Sequence, residues 1–382
     1  MLHNHNQHIP HPHLLNFLKD KMNEIYVVHS MDAFVMALFG IFVPIYLLKL
    51  GFSLPQVIGF FLLHVIIAPI FSFISGFISN RIGLKHTMLL RFPFIFGYLL
   101  MLYSLDTIAI PLSLIVIVGS FGTSLYWMPM LSLFARHASK KHMGRDFGVL
   151  SSVVLVAHAI APFIGGVIAT FFGFNSLFIV AMVLLALSVI PLFYTPEIKA
   201  HVKFKIEDGL KIYKENIKLF TGLAFNHVRG MCELVIWPIF VYLVLKNVMS
   251  VGIVGFLLGI TMAVLTLVVG RLSDNHSKRR FIRAGAFFAI IFWILRYYIS
   301  SATSVYLITI LIAFATIFVS TPFASILYKR AKKYNIDEFI ILREIPISIA
   351  RALILSAALI LVNKIELTFI VTAISQIFFL FF

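Results

Sequence analysis

The sequence predicts an all-α membrane protein whose twelve transmembrane helices form two pseudo-symmetric six-helix bundles. Three observations carry that reading: a composition too apolar for water, twelve apolar runs of bilayer length, and landmarks that recur at one separation. Of 382 residues, 61% are hydrophobic and 12% charged, with mean hydropathy +1.01. Soluble domains are nearer to about half apolar and about a quarter charged.

A bilayer core takes about 20 apolar residues as a helix, and on that ruler the runs fall at roughly 26–48, 54–79, 87–104, 108–135, 147–171, 174–194, 217–245, 250–272, 281–299, 303–328, 339–363 and 365–382. Backbone groups in lipid must bond within their own segment, so each run is a helix. The basic residues lie between runs. With the N-terminus in the cytoplasm, the inner loops hold Arg81 and Lys85, then Arg136, Lys140, Lys141 and Arg145, then Lys199 to Lys218, Arg271 to Arg283, and Lys329 to Lys333. The outer loops hold only Lys49, Lys246 and Lys364. That asymmetry puts both termini in the cytoplasm of a multi-pass protein of the cytoplasmic (inner) membrane. The formal charge of +16 therefore faces cytosol and lipid phosphate, and no nucleic-acid partner is expected. The single cysteine, Cys232, cannot form an intrachain disulfide. The start of the chain is polar and the first run is too long for a signal-peptide core, so no cleavable leader is expected.

The predicted units are a histidine-rich cytoplasmic tail (1–25), an N-terminal bundle (26–194), a cytoplasmic linker (195–216) and a C-terminal bundle (217–382). The tail carries His3, His5, His8, His11 and His13. Without acidic or cysteine partners these read as solvated rather than as a metal site, and no metal or cofactor is expected. The linker mixes Ile198, Val202, Phe204, Leu210 and Ile217 with many lysines, which fits an interfacial amphipathic segment or a solvated loop.

The two halves repeat each other. Pro44 and Pro238 are 194 residues apart by subtraction, as are Gly76 and Gly270. Pro129 with Arg136 is echoed by Pro322 with Lys329, and Arg145-Asp146 by Arg343-Glu344. Landmarks in one order at nearly one spacing indicate a tandem six-helix unit, and an even number of spans gives both copies one orientation.

The turn "GFISNRIGLKH" after the second run and "GRLSDNHSKRR" after the eighth, between halves of parallel topology, resemble the major facilitator superfamily over essentially the whole chain. In the first copy Gly76, Arg81, Gly83 and Lys85 match the superfamily's loop signature, with Asn80 at its acidic position. In the second, Gly270, Asp274, Lys278 and Arg279 match. The resemblance implies alternating access, with these turns and Arg145, Asp146, Arg343 and Glu344 forming a cytoplasmic gate that pairs across the seam. Asn80 can only hydrogen-bond, so the first copy is expected to make the weaker ionic contact. The fifth run is similar to an antiporter pattern of the superfamily at Gly148, Ala157, Ala161, Pro162, Gly165 and Gly166, with alanine twice in place of glycine. Small residues there permit close helix packing and the proline a bend.

Ionisable residues inside a membrane are costly, which makes them functional candidates. Asp32 follows His29 by three residues in the first run, so the two can share a proton or a hydrogen bond. In the seventh run Arg229 and Glu233 are four apart and can neutralise each other, or form a coupling switch if substrate or proton competes. Asp32, Glu233 and His29 are thus the proton-coupling candidates. Helices one and seven line the central cavity in the superfamily, which implies Asn226, Arg229, Trp237, Tyr126, Trp127 and the deeper Arg351 as substrate contacts. Arg91 and Arg296 near run ends are expected to snorkel.

The function these features point to is a secondary active transporter, its expected partners being protons, lipid and a small molecule, working as a monomer. Proton-coupled export of a hydrophobic or amphipathic compound is the leading expectation. Uptake of a polar metabolite or organic anion is the alternative in class, Arg229 and Arg351 together being able to hold a carboxylate. A lipid scramblase or membrane-embedded enzyme is the alternative outside it, although no converging catalytic set is visible, and no P-loop provides for ATP.

Overall fold

Apolar runs whose backbone has nothing but itself to bond to fold as helices, and among the described residues the chain forms helices and no strand. The computed structural model describes residues 21–137, 143–188, 190–193, 196–202, 206–275 and 277–382, without the side chains of residues 21, 143–148, 193, 206, 267, 270, 271 and 273–275. The tail histidines and the side chains of Gly148, Arg145, Asp146, Gly270 and Asp274 therefore lie outside the described residues.

The N-terminal half contains α1 (Met22–Lys49), α2 (Leu54–Ile82), α3 (Leu84–Ser104), α4 (Leu112–His137), α5 (Met143–Phe171) and α6 (Gly173–Ser188). An amphipathic linker helix, Ile206–Glu215, follows, burying Ile212 and exposing Leu210. The C-terminal half contains α7 (Ile217–Leu245), α8 (Val248–Asn275), α9 (Lys278–Arg296), α10 (Ala302–Ala331), α11 (Ile336–Ile360) and α12 (Leu367–Gln376), the last prolonged by a 3-10 turn to Leu380. Among the described residues, nine helices are long and apolar enough to cross a membrane. The others are α12, which is short, and α9 and α11, which carry charge: Lys278 to Arg280, Arg283 and Arg296 on α9, and Asp337, Glu338, Arg343, Glu344 and Arg351 on α11. Large exposed apolar residues such as Ile70, Phe77, Val183, Phe287 and Leu353 face outward, where lipid replaces water as the solvent.

Helix pairing repeats between the halves. α1 packs on α5 and α6, α2 and α3 on α4, and α3 on α6; correspondingly α7 packs on α11 and α12, α8 and α9 on α10, and α9 on α12. Across the seam α5 packs on α8 and α2 on α11, the two contacts that a twofold axis between the bundles exchanges. Both first helices are irregular just before their proline. In α1 the helix breaks at residues 41–42 ahead of Pro44. In α7 a π turn, Cys232–Ile236, precedes Pro238, with Trp237 N–H donating to Cys232 O. A proline ring crowds the carbonyl four residues back, and a widened turn relieves that clash.

Candidate functional site

On the face that carries the linker, the first basic turn is organised by it. Gly83 has φ +97°, and a Cβ there would lie 2.3 Å from Glu197 Cδ, so the turn requires glycine on both counts. The Glu197 carboxylate accepts from the N–H groups of Lys85 (3.0 Å) and His86 (2.8 Å), the free donors at the start of α3, and contacts His86 Nδ1 at 2.6 Å. Burial works to raise the Glu197 carboxyl, but these hydrogen bonds, with one from its neighbour Ile198 N–H, hold it below its ordinary value. Asn80 donates to Val202 O (2.7 Å) and accepts from Val202 N–H (2.9 Å). Asn80 thus reads the linker backbone, as an amide can and a carboxylate cannot.

The same stretch reaches the other half. His201 N–H donates to Asp337 Oδ2 (2.9 Å), and Asn335, the N-cap of α11, donates to His201 O (2.7 Å). Asp337 is fully buried and ion-pairs with Arg136 at the end of α4. Phe134 stacks edge-on against Tyr328 of α10 at 5.6 Å. A Cβ on Gly76 would lie 2.6 Å from Ile341 of α11. The gate expected from the repeated turns is thereby corrected. Lys85 bonds Glu24 of α1 within its own half (2.5 Å), Arg81 and Arg279 are exposed, and Lys278 donates to Ser325 of its own half (2.6 Å). Arg343 and Glu344 pair with each other (3.4 Å). Among the described residues, charges across the seam meet at Arg136 and Asp337, which end α4 and begin α11 where the bundles touch.

Within the membrane, two sequence pairings are replaced. Asp32 does not bond His29; it pairs with Arg91 of α3, both buried. His29 Nδ1 shares a hydrogen bond with Tyr126 OH (3.0 Å) and lies edge-on to Trp127, which is 44% exposed. The Arg91 guanidinium sits 4.4 Å from the Tyr126 ring centroid. A void of about 20 Å³ borders Asp32, Arg91, Tyr126 and Ser188.

Glu233 likewise does not pair with Arg229; it takes both outer nitrogens of Arg296 (2.9 and 3.4 Å). Arg296 is fully buried, 3.7 Å over Trp237 and 4.4 Å over Trp293. Arg91 and Arg296, expected to snorkel, are interior partners. The π turn begins at Cys232, between Arg229 and Glu233, and so interrupts the α-helical register in which residues four apart face alike. Trp237 is 1% exposed and belongs to this aromatic cage, not to a cavity wall. Arg229 donates instead to Asn226 Oδ1 (3.0 Å) and Thr316 Oγ1 (3.1 Å), and Arg351 donates to His227 Nδ1 (3.1 Å).

A cavity of about 290 Å³ lies among α5, α7, α8, α10 and α11. Asn226, His227, Thr266, Ser320 and Arg343 give it polar lining, and Val154, Leu155, Leu223, Met262 and Ile317 apolar lining. Of the predicted cavity residues only Asn226 lines it; Arg229 and Arg351 stand behind Asn226 and His227. The α5 pattern packs against α1 and α8. A Cβ on Gly165 would lie 2.1 Å from Leu38 O of α1, and one on Gly166 3.2 Å from Gly252 Cα of α8. Ala161 and Pro162 are buried and Ala157 partly so. The matching stripe on α8, Gly252, Gly255 and Gly259, comes within 2.5–2.8 Å of Pro162 and Ala159 in the same sense. Its spacing in "GIVGFLLGI" was readable in the sequence and is the signal missed, along with Arg91, Arg296 and Asp337.

The family model of the Major Facilitator Superfamily matches residues 25–353. A multi-drug resistance efflux pump PmrA homolog from Lactococcus lactis subsp. lactis is 24% identical over 220 residues, covering 54% of each chain. The chain thus matches about half the length of that curated relative. The crystal structure of the human organic anion transporter MFSD10 (TETRAN) superposes with TM-score 0.66 at 12% identity, covering 95% of this chain and 99% of that one. By its family match and its paired six-helix bundles, the chain is a multi-pass membrane transporter that belongs to the Major Facilitator Superfamily.

Proposed function

We propose that this transporter moves a small amphipathic molecule out across the cytoplasmic membrane by alternating access, driven by proton entry. The observation that carries the reading is the mixed polar and apolar cavity beside a seam bonded at both ends. Arg136, Asp337 and the linker bond the cytoplasmic end, and the α5–α8 glycines the other. Two rigid halves exchanging such contacts expose one pocket to alternate sides. Export agrees with the efflux pump among the relatives.

Asp32 is the proton carrier in this reading. Protonating it releases Arg91, and the void beside the pair admits about one water. Glu233, held by Arg296 between two tryptophans, acts as a structural pin of the C-terminal half. The test is efflux of a fluorescent amphipathic dye from vesicles with and without an imposed pH gradient. Asp32→Asn is expected to abolish gradient-driven flux while leaving downhill exchange. Gradient-driven flux equal to wild type in Asp32→Asn would remove the coupling assignment.

A further inference from the structure

We infer that the cavity takes an amphipathic organic anion, its acidic oxygens held by Arg343 with Arg229 and Arg351 behind it. The inference deepens the transport reading above and rests on it. It comes from a count of buried charge around the cavity. The membrane-embedded part of the C-terminal half holds Arg229, Arg296, Arg343 and Arg351 but only two carboxylates, Glu233 and Glu344. Arg296 takes Glu233 and Arg343 takes Glu344. Arg229 and Arg351 are left without an ion pair among the described residues.

Their partners are neutral. Arg229 donates to an amide oxygen and a hydroxyl, and its Nε has no partner. Arg351 donates to His227 Nδ1, which must then be the unprotonated, accepting nitrogen. A guanidinium keeps its proton even when buried, so four arginines face two carboxylates and two positive charges are in excess, Glu233 and Glu344 acting on Arg229 and Arg351 only through space while paired directly with Arg296 and Arg343. Such charges inside a membrane pair with something, and both arginines hydrogen-bond cavity-lining residues, Arg229 to Asn226 and Arg351 to His227.

Arg343 is itself in the wall beside Tyr328, to which it hydrogen-bonds, and its contact with Glu344 is long, 3.4 Å, so a ligand's acidic oxygens can take the place of that carboxylate. A forked guanidinium matches the planar oxygens of a carboxylate and those of a sulfonate or phosphate. Val154, Leu155, Met262 and Ile317 give the same cavity its apolar lining. The volume of about 290 Å³ is at the lower end of ligand pockets, which suits one ring system or short chain with one acidic group. A cationic compound finds no vacant carboxylate here: Glu344 and Glu233 are taken by arginines, and Asp32 by Arg91.

Three probes sharing a fluorophore test this: dansylglycine, its methyl ester, and monodansyl ethylenediamine. Their binding to the purified full chain in nanodiscs is read by fluorescence anisotropy. Dansylglycine is expected to bind at least about tenfold more tightly than the ester or the amine. Arg229→Gln, Arg351→Gln and Arg343→Gln are each expected to weaken it by about tenfold or more. Glu344→Gln, which removes the competing carboxylate, is expected to tighten it, a gain that misfolding cannot mimic. No preference for the acid, including no binding of any probe, overturns the inference, as does an affinity that Glu344→Gln leaves unchanged or lowers. The two readings fail separately. Loss of anion preference with gradient-driven dye efflux intact removes only this one, whereas anion-selective binding in a chain that shows no gradient-driven flux removes only the coupled-export reading.

Discussion

Asp337→Asn is expected to open the seam at the end that carries the linker. Asp337 is fully buried, pairs with Arg136 across the two halves, and accepts from His201 N–H of the linker. The asparagine keeps the size and one acceptor oxygen but loses the charge. Hydrogen bonds to charged groups contribute about 1.5–3 kcal/mol. The Arg136 side chain is 25% exposed, so water recovers part of that energy once the pair is broken, which places the effect near the lower end. At about 1.4 kcal/mol per factor of ten, the closed-to-open ratio falls about tenfold. Spin labels on Arg81→Cys and Lys333→Cys, exposed residues of opposite halves, in a Cys232→Ser background would report that ratio as a distance distribution. Arg136→Gln should give a similar shift, and the double variant no more than the larger single one, since both remove one interaction. An unchanged distribution in Asp337→Asn, or additive shifts in the double variant, would refute the assignment of this pair as the cross-seam contact.

Glu233→Gln or Arg296→Gln alone should lower stability by about 3–5 kcal/mol, because each leaves its buried partner uncompensated; Glu233→Gln combined with Arg296→Met should lose less, as thermal unfolding in detergent would show. Gly165→Ala should destabilise by about 1–3 kcal/mol, its Cβ meeting a backbone oxygen of α1 at 2.1 Å, whereas Gly40→Ala, with nothing within 4 Å, should be near neutral in the same assay. The clasp on Glu197 should depend on pH with one sign. Its carboxyl is held below the ordinary value, so the stabilisation is full above the unfolded-state pKa and is lost as pH falls through the lower, folded-state one. The hydrogen-exchange protection of the Lys85, His86 and Ile198 amides, relative to the intrinsic rate at each pH, should fall over that acidic window, and Glu197→Gln should show the loss of protection already at neutral pH.

What the sequence determined by itself were the properties that lipid imposes on any chain: helices of bilayer length, and a repeat readable from proline and glycine spacing, since these are local or periodic. It also marked Asp32, Glu233, Arg229 and Arg351 as costly intramembrane charges, and Gly83 and Gly165 as places where backbones come close. It placed the partners wrongly, because pairing was inferred from neighbours one turn away on the same helix. The tertiary structure decided that Asp32 meets Arg91, Glu233 meets Arg296 and Arg136 meets Asp337, at separations of 59, 63 and 201 residues. A charge buried in a bundle pairs with whatever cation the packing of other helices delivers, and at α7 a π turn ahead of Pro238 interrupts the α-helical register on which the expected pairing relied. Periodicity along one helix cannot encode that choice; only the rotation and contact of the helices around it do.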